Sequence, residues 1–184
     1  MRIIAGQWRG RTLTAPAGQA TRPTAERMRQ ALFDMLAHAP WAEGRLVGAS
    51  VLDGFAGTGA LGLEALSRGA AQAIFIERDQ AALAALRANV AACRAEEQAR
   101  VIAMDITRPP PGAPCGLVFL DPPYAQELVP KAVAALGRAG WLTNDALVVA
   151  ETGRDEALEL AGKMVAERAH GAARVTVWRM GSRI

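Results

Sequence analysis

The chain has 184 residues, 51% of them apolar, and carries a net charge of +3, so it can bury a real core and is far too apolar to be disordered. No apolar run approaches the roughly 18 residues of a membrane span, and the start "MRIIAGQWRGR" lacks the apolar centre of a secretory signal. Cys93 and Cys115 form no CxxC and have only His38 and His170 for company, which excludes a metal constellation; the expectation is a soluble, cytoplasmic, metal-free protein.

The first 29 residues hold six arginines (Arg2, Arg9, Arg11, Arg22, Arg27 and Arg29) against Glu26 alone, whereas the remaining chain is slightly acidic. Positive charge gathered at one end points to a polyanion partner. Within that stretch, "MRIIAGQWRGRTLTAP" reads as a small β-hairpin with strands near 2–5 and 11–14, and "AGQATRP" as a linker. A helix follows over "TAERMRQALFDMLAHAP": Thr24 suits its N-cap, Glu26 its first turn, and Pro40 stops it. Its apolar face is Met28, Leu32, Met35 and Leu36, with Arg27 and Arg29 on opposite flanks, so that one of the two is expected to be structural.

From about residue 48, short apolar strands alternate with helices. The strands are Ser50–Asp53, Ala73–Glu77, Arg100–Met104, Leu117–Asp121 and Ala146–Glu151; the helices lie near 60–68, 79–95 and 127–138, with a weaker one near 155–161. Continuous apolar strands separated by helices predict a mostly parallel, doubly wound α/β sheet, Rossmann-like. Cys93 shares a helical stripe with Leu83, Leu86 and Val90, the position of a packed thiol. The tail "MVAERAHGAARVTVWRM" reads as two β segments about a turn, an antiparallel hairpin that closes the sheet.

"VLDGFAGTGALGLEAL" stands where the first strand meets the first sheet helix. Gly57, Gly59 and Gly62 fit GxGxxG, and Glu77 ends the next strand. Glycines permit a sharp turn and a close approach to a ligand, and the acid can accept hydrogen bonds from ribose hydroxyls. That much fits NAD as well as S-adenosylmethionine. Asp53, just before the loop, tilts the choice: a carboxylate repels a pyrophosphate but suits a ligand carrying an ammonium and a sulfonium. Asp105, after the third strand, is placed either to accept from an adenine amino group or to cap a turn.

"LDPPY" ends the fourth strand beside the first, at the switch point where doubly wound sheets bind ligands. Pro122 holds Asp121 extended. The paired prolines stiffen the loop and leave the Pro122 carbonyl without a competing amide. Asp121 adds a second acceptor and Tyr124 a stacking ring. Two acceptors and a ring match an exocyclic –NH₂ on a planar base, whose nitrogen lone pair they would localise for attack on a methyl carbon.

These residues resemble the amino-group methyltransferases with a D/N-P-P-Y/F motif. Together, "RIIAGQWRGRTL", "RPTAERMRQALFDML", "LDGFAGTGALGLEALSRGA" and "LDPPY" resemble the RsmD family of bacterial 16S rRNA guanine-N2 methyltransferases, from residue 2 to about 152. The resemblance implies a class I methyltransferase domain over 21–184 with a seven-stranded sheet, preceded by an RNA-contacting β-hairpin over 1–20. It implies methylation of guanine 966 in 16S rRNA, within a 30S particle or an assembly intermediate, by a monomer. It implies a catalytic motif of Asp121, Pro122, Pro123 and Tyr124, and S-adenosylmethionine contacts at Asp53, Phe55, Ala56, Gly57, Gly59, Glu77, Arg78, Asp105 and Ile106, with S-adenosylhomocysteine as product. RNA contacts are expected at Arg9, Arg11, Arg22, Thr24, Arg27 and Arg29. Two positions depart from the pattern. Gly54 replaces a larger residue, which is expected to loosen the cofactor loop, and Gln30 replaces a glutamate. The competing readings are a DNA adenine-N6 or cytosine-N4 methyltransferase, a protein-glutamine methyltransferase, a nicotinamide oxidoreductase and a non-catalytic RNA-binding factor.

Overall fold

The computed structural model describes residues 1–16, 23–42, 44–123 and 127–181. Helix α1 (Pro23–His38) precedes an alternation of β1 (Ser50–Gly54), α2 (Ala60–Ser67), β2 (Gln72–Glu77), α3 (Gln80–Cys93), β3 (Ala99–Ala103), β4 (Cys115–Leu120), α4 (Leu128–Arg138) and β5 (Leu142–Gly153). The chain then closes with β6 (Gly162–His170) and β7 (Ala173–Met180). The seven strands run in the order β3-β2-β1-β4-β5-β7-β6. The first five are parallel, and β7 is antiparallel to both β5 and β6. This is the doubly wound sheet with a terminal hairpin that the apolar runs predict.

Alternation along each strand divides the core in two. Val51, Phe75, Phe119 and Val149 face one side, with Leu32, Phe33 and Leu36 of α1, Leu63 and Leu66 of α2, and Leu86 and Val90 of α3. Leu52, Ile76, Leu120 and Ala150 face the other side, with Val129, Val133 and Leu136 of α4. Each fully buried large apolar side chain contributes roughly 1.5–3 kcal/mol. Phe33 of α1 meets Phe119 of β4 with ring centroids 5.6 Å apart, a contact that seats α1 against the middle of the sheet. Cys93 and Cys115 are both free and buried.

Three expectations are corrected. The segment near 155–161 is not helical: its backbone turns at Gly153–Glu156 and then runs irregularly to β6, because so short and exposed a stretch has too little apolar surface to hold a helix. Helix α1 begins at Pro23, where proline's fixed φ and missing N–H suit the first turn, so Thr24 lies within the helix and not at its cap. The N-terminal hairpin forms but is shorter than expected: Arg2 bridges Thr12, the Ile3 amide donates to Arg11, and the Leu13 and Gly10 amides donate to Met1 and Ile3, while Ile4 and Ala5 do not pair across it.

The cause of that reduction is a set of buried partners elsewhere in the chain. The Ile4 and Ala5 amides donate to the Glu64 carboxylate at 2.7 and 3.0 Å, and the Trp8 amide donates to Ser67 Oγ at 3.0 Å. The Thr14 amide donates to Asn89 Oδ1, while Asn89 Nδ2 donates to the carbonyls of Thr14 and Thr58. Ile3 and Leu13 are buried in the core. The first sixteen residues are thus clamped onto α2 and α3.

Candidate active site

Strand register gathers four acids at the strand ends, with Glu77, Asp121 and Glu151 level and Asp53 two residues short of them. Asp53 pairs with Phe75 on β2 and with Phe119 on β4, and Leu120 pairs with Ala150 on β5. One residue past Leu120 and Ala150, Asp121 and Glu151 therefore stand side by side at the C-terminal ends of β4 and β5. By two-residue alternation, Asp53, Glu77, Asp121 and Glu151 all project to the Phe75–Phe119 side of the sheet. Beside these acids opens a crevice of about 530 Å³, lined among others by Phe55, Gly57, Glu77, Arg78, Asp105, Ile106, Asp121, Pro122 and Pro123. The glycine loop and the strand-four motif share it.

The glycine loop takes its shape from positive φ angles. Gly59, at φ 78°, caps α2, and a Cβ there would meet Leu86 Cδ1 at 2.4 Å. Phe55 holds φ 57° without being glycine, a conformation L-residues adopt at a cost of about 1–3 kcal/mol. Glu77 fastens the loop to β2: its Oε2 accepts from the Gly57 amide at 2.8 Å, and its Oε1 accepts from the Arg78 and Asp79 amides. Gly54 does not loosen anything. Its missing Cβ is the space that Ile106 Cδ1 fills, 2.1 Å from where that Cβ would stand, so the smaller residue brings the crevice wall closer.

Asp53 and Ala56 are buried and do not line the crevice. The Asp53 carboxylate lies under the loop and accepts from the Gly62 amide at 2.8 Å. Burial pushes it up to about 8, with Asp121 and Glu77 adding repulsion against the Gly62 hydrogen bond. Asp105 does line the crevice, and its hydrogen bonds are those of a turn cap: Oδ1 accepts from the Thr107 amide and hydroxyl, and Oδ2 pairs with Arg78 at 2.9 Å. These contacts, those from Thr107 foremost, hold it below the usual carboxylate range. Asp121 opens onto the crevice. Desolvation at the strand ends raises it well above an ordinary aspartate, and the facing Glu151 raises it further.

The raised acids set the pH dependence of stability. Between the unfolded carboxylate range near pH 4 and the raised folded values, the folded state keeps protons that the unfolded chain gives up, so stability falls as pH rises. Asp53 is almost fully buried, and its contribution is on the order of 2–5 kcal/mol. The ligand-free protein is expected to melt at a lower temperature at pH 8 than at pH 5, and Asp53→Asn to flatten that slope. A Tm that climbs from pH 5 to 8 in thermal scans would refute the assignment.

The arginines separate sharply. Arg29 is buried at 7% exposure, with Nη2 donating to the Arg2 carbonyl, Nη1 to Met1 Sδ, and Nε 4.0 Å from Glu64. It is held inside the protein and does not face a partner, a correction to the expected RNA-contacting set. Arg11 donates to the Ala92 carbonyl at the end of α3. Arg9 and Arg27 are exposed and share a groove of about 500 Å³ with Arg2, Glu26 and Gln30. Gln30 also bonds Asp34 at 2.7 Å. Arg22, Tyr124 and the Thr24 side chain lie outside the described residues.

Sequence reasoning did not single out Glu64, Asn89, Met104 or Glu151. Glu64 is an acid inside an otherwise apolar helix, and Glu151 an acid ending an apolar strand; both signals are visible in the chain. Met104, 40% exposed and lining the crevice, has none. Among the described residues no helix is long and apolar enough to cross a membrane, and no group of three or more His, Cys, Asp or Glu side chains is placed to hold a metal ion.

Comparison with known proteins agrees with this architecture. The family described as "Conserved hypothetical protein 95" matches residues 1–179. Ribosomal RNA small subunit methyltransferase D of Escherichia coli K12 is 44% identical over 155 residues, covering 83% of this chain and 74% of its own. The protein of the same name from Haemophilus influenzae is 38% identical over 163 residues, covering 86% and 81%. The solved structure of Escherichia coli yhhF superposes with a TM-score of 0.85 at 36% identity, covering 100% of this chain and 99% of its own. An RNA methyltransferase of Salinibacter ruber, solved with S-adenosyl-L-homocysteine, shares the fold at a TM-score of 0.63 and 16% identity, covering 90% and 95%.

Proposed function

The chain belongs to the RsmD family, and on that premise we propose that it transfers a methyl group from S-adenosylmethionine to the exocyclic N2 amine of guanine 966 in 16S rRNA, during assembly of the 30S particle. The observation that carries this reading is the shared crevice, with the glycine loop and Glu77 on one side and Asp121-Pro122-Pro123 on the other.

The residues present fit S-adenosylmethionine. The crevice carries the carboxyl groups of Glu77, Asp105 and Asp121, with Asp105 held in its charged form, a lining that suits a cationic ligand and disfavours a pyrophosphate. Glu77 is the candidate for the ribose hydroxyls, Asp105 and Ile106 for the adenine end, and the loop Phe55–Gly59 for the body of the molecule. When bound, S-adenosylmethionine supplies a methyl carbon on a positively charged sulfur, which departs as a neutral thioether. Asp121 and the Pro122 carbonyl accept from the guanine –NH₂, withdraw its lone pair from the ring and aim it into the crevice. Asp121 then stands within reach of the proton that the amine sheds. Most of the acceleration comes from such positioning and electrostatics.

A guanine inside folded rRNA must be unstacked to enter the crevice. The Arg2–Arg9–Arg27 groove is the candidate for the flanking phosphates. Double replacement of Arg9 and Arg27 by alanine is expected to weaken RNA binding and to lower the slope of log K against log salt by about 1.5, since each phosphate left without its arginine removes roughly 0.7–0.9 from that slope. Filter binding across a salt series measures it, and an unchanged slope removes the groove from the interface.

The deciding experiment incubates the protein and methyl-labelled S-adenosylmethionine with unmodified 16S rRNA, free and as 30S particles, and digests the product to nucleosides. Label in N2-methylguanosine at guanine 966 is the expected result. Label in another nucleoside, or in none, overturns the reading.

A further inference from the structure

Glu151 has no assigned role, yet the sheet register delivers it to the side of Asp121. Leu120 and Ala150 are partners across the parallel β4–β5 pair, and the next residue on each strand is an acid on the same face. A second carboxylate beside the catalytic one is costly to the fold, since like charges at short range repel inside protein more strongly than in water. We infer that Glu151 is a positioning residue which acts through Asp121: its charge makes Asp121 the proton acceptor for the methylated amine. This rests on the amine-methylation reading above.

The proton step balances within the pair. As the amine nitrogen bonds to the methyl carbon it becomes positively charged and strongly acidic. One N–H bond then breaks, its electron pair returns to nitrogen, and the proton forms an O–H bond on an Asp121 carboxylate oxygen. That oxygen faces the crevice and releases the proton to solvent after the product leaves. Glu151 enters by making Asp121 more basic. Desolvation at the strand ends already raises Asp121, and the charge of Glu151 raises it further. Facing Glu151, Asp121 keeps its proton to higher pH, the direction its surroundings give it. The other acid coupled to this centre is Asp53 on β1, which Glu77 on β2 also faces. Asp53 lies under the glycine loop with its carboxylate on the Gly62 amide, so it is not a second acceptor for the amine.

The test does not depend on turnover alone. Aspartate carboxyl carbons labelled with ¹³C are followed by NMR across a pH series in the ligand-free protein, with Asp121→Asn identifying the Asp121 signal. In Glu151→Gln the Asp121 midpoint is expected to drop by a pH unit or more, and in Glu151→Asp, which keeps the charge, to stay raised. A midpoint that does not move in Glu151→Gln overturns the inference, whether or not the protein methylates RNA. In the transfer assay, Glu151→Gln is expected to move the acidic limb of kcat to lower pH and to reduce its plateau about tenfold. KM for S-adenosylmethionine should remain within twofold. A limb that does not move, or a loss confined to KM, refutes the role of Glu151. A wild-type protein that labels no guanine, with the NMR coupling intact, refutes the methylation reading and leaves the pair standing.

Discussion

Asp121→Ala is expected to reduce methyl transfer by at least about 10³-fold while leaving S-adenosylhomocysteine binding within a few-fold of wild type. The side chain is the crevice's foremost acceptor for an amine, and it sits at the end of β4, across the crevice from Glu77 and the glycine loop that are the candidates for holding the cofactor. Removing it deletes the group proposed to orient the nitrogen and receive its proton, but none of the loop's own hydrogen bonds. Single-turnover transfer and calorimetry on the same preparation separate the two effects. If cofactor binding collapses instead, Asp121 belongs to the cofactor side. A second result is expected from the same variant: without its ligands, Asp121→Ala melts higher than wild type near pH 8, because repulsion among Asp53, Asp121 and Glu151 is relieved. A group kept for chemistry at the expense of the fold shows that signature.

Glu64→Ala is expected to lower stability by about 3–5 kcal/mol, the cost of breaking a buried ion pair from one side. That corresponds to a fall in Tm of roughly 10 °C for a chain of this size. Glu64 is fully buried and holds four partners: the Ile4 and Ala5 amides, Arg68 Nε at 2.7 Å and, more distantly, Arg29. Burial already works against the charge on Arg29, with Glu64 and then Glu26 opposing it. Without Glu64, Arg29 and Arg68 face each other with only the more distant Glu26 and Asp34 to offset their charges. Denaturant titration gives the size of the loss. Hydrogen exchange at the Ile4 and Ala5 amides shows whether the N-terminal segment detaches before the sheet unfolds. A loss below about 1 kcal/mol would mean that water takes over the carboxylate's role.

The strands and helices of the sheet were legible because their physics is local. Runs such as "LVFL" and "AIFI" need no partner to announce burial, and an acid at the end of each marks the rim of the crevice. Glu151 carries that same mark, but a lone acid says nothing until strand order puts β5 beside β4. Arg29 illustrates the opposite failure. It falls in step with Phe33 and Leu36 on the buried face of α1, while Glu64 interrupts the apolar run of α2. Each residue is odd alone, and together they are a pair; 35 positions of sequence and a change of helix hide the match. Gly54 misleads in a third way. Its small side chain suggests slack, but the space is owned by Ile106, a residue 52 positions away whose approach only packing reveals. Reading by residue type finds what a side chain can do. Only the fold decides which neighbour it does it to.

The docking of the N-terminal segment also fixes an order of events during synthesis. The amides of Ile4 and Thr14 take partners 60 and 75 positions downstream. A nascent chain emerges N-terminus first at about 5–20 residues per second, so its opening residues wait several seconds for the helices that receive them. Through that interval Ile3, Leu13 and the early arginines are uncovered, next to the rRNA of the translating ribosome. Docking of the first residues is therefore a long-range closure whose partners are complete by Cys93, before β4 to β7 have been made.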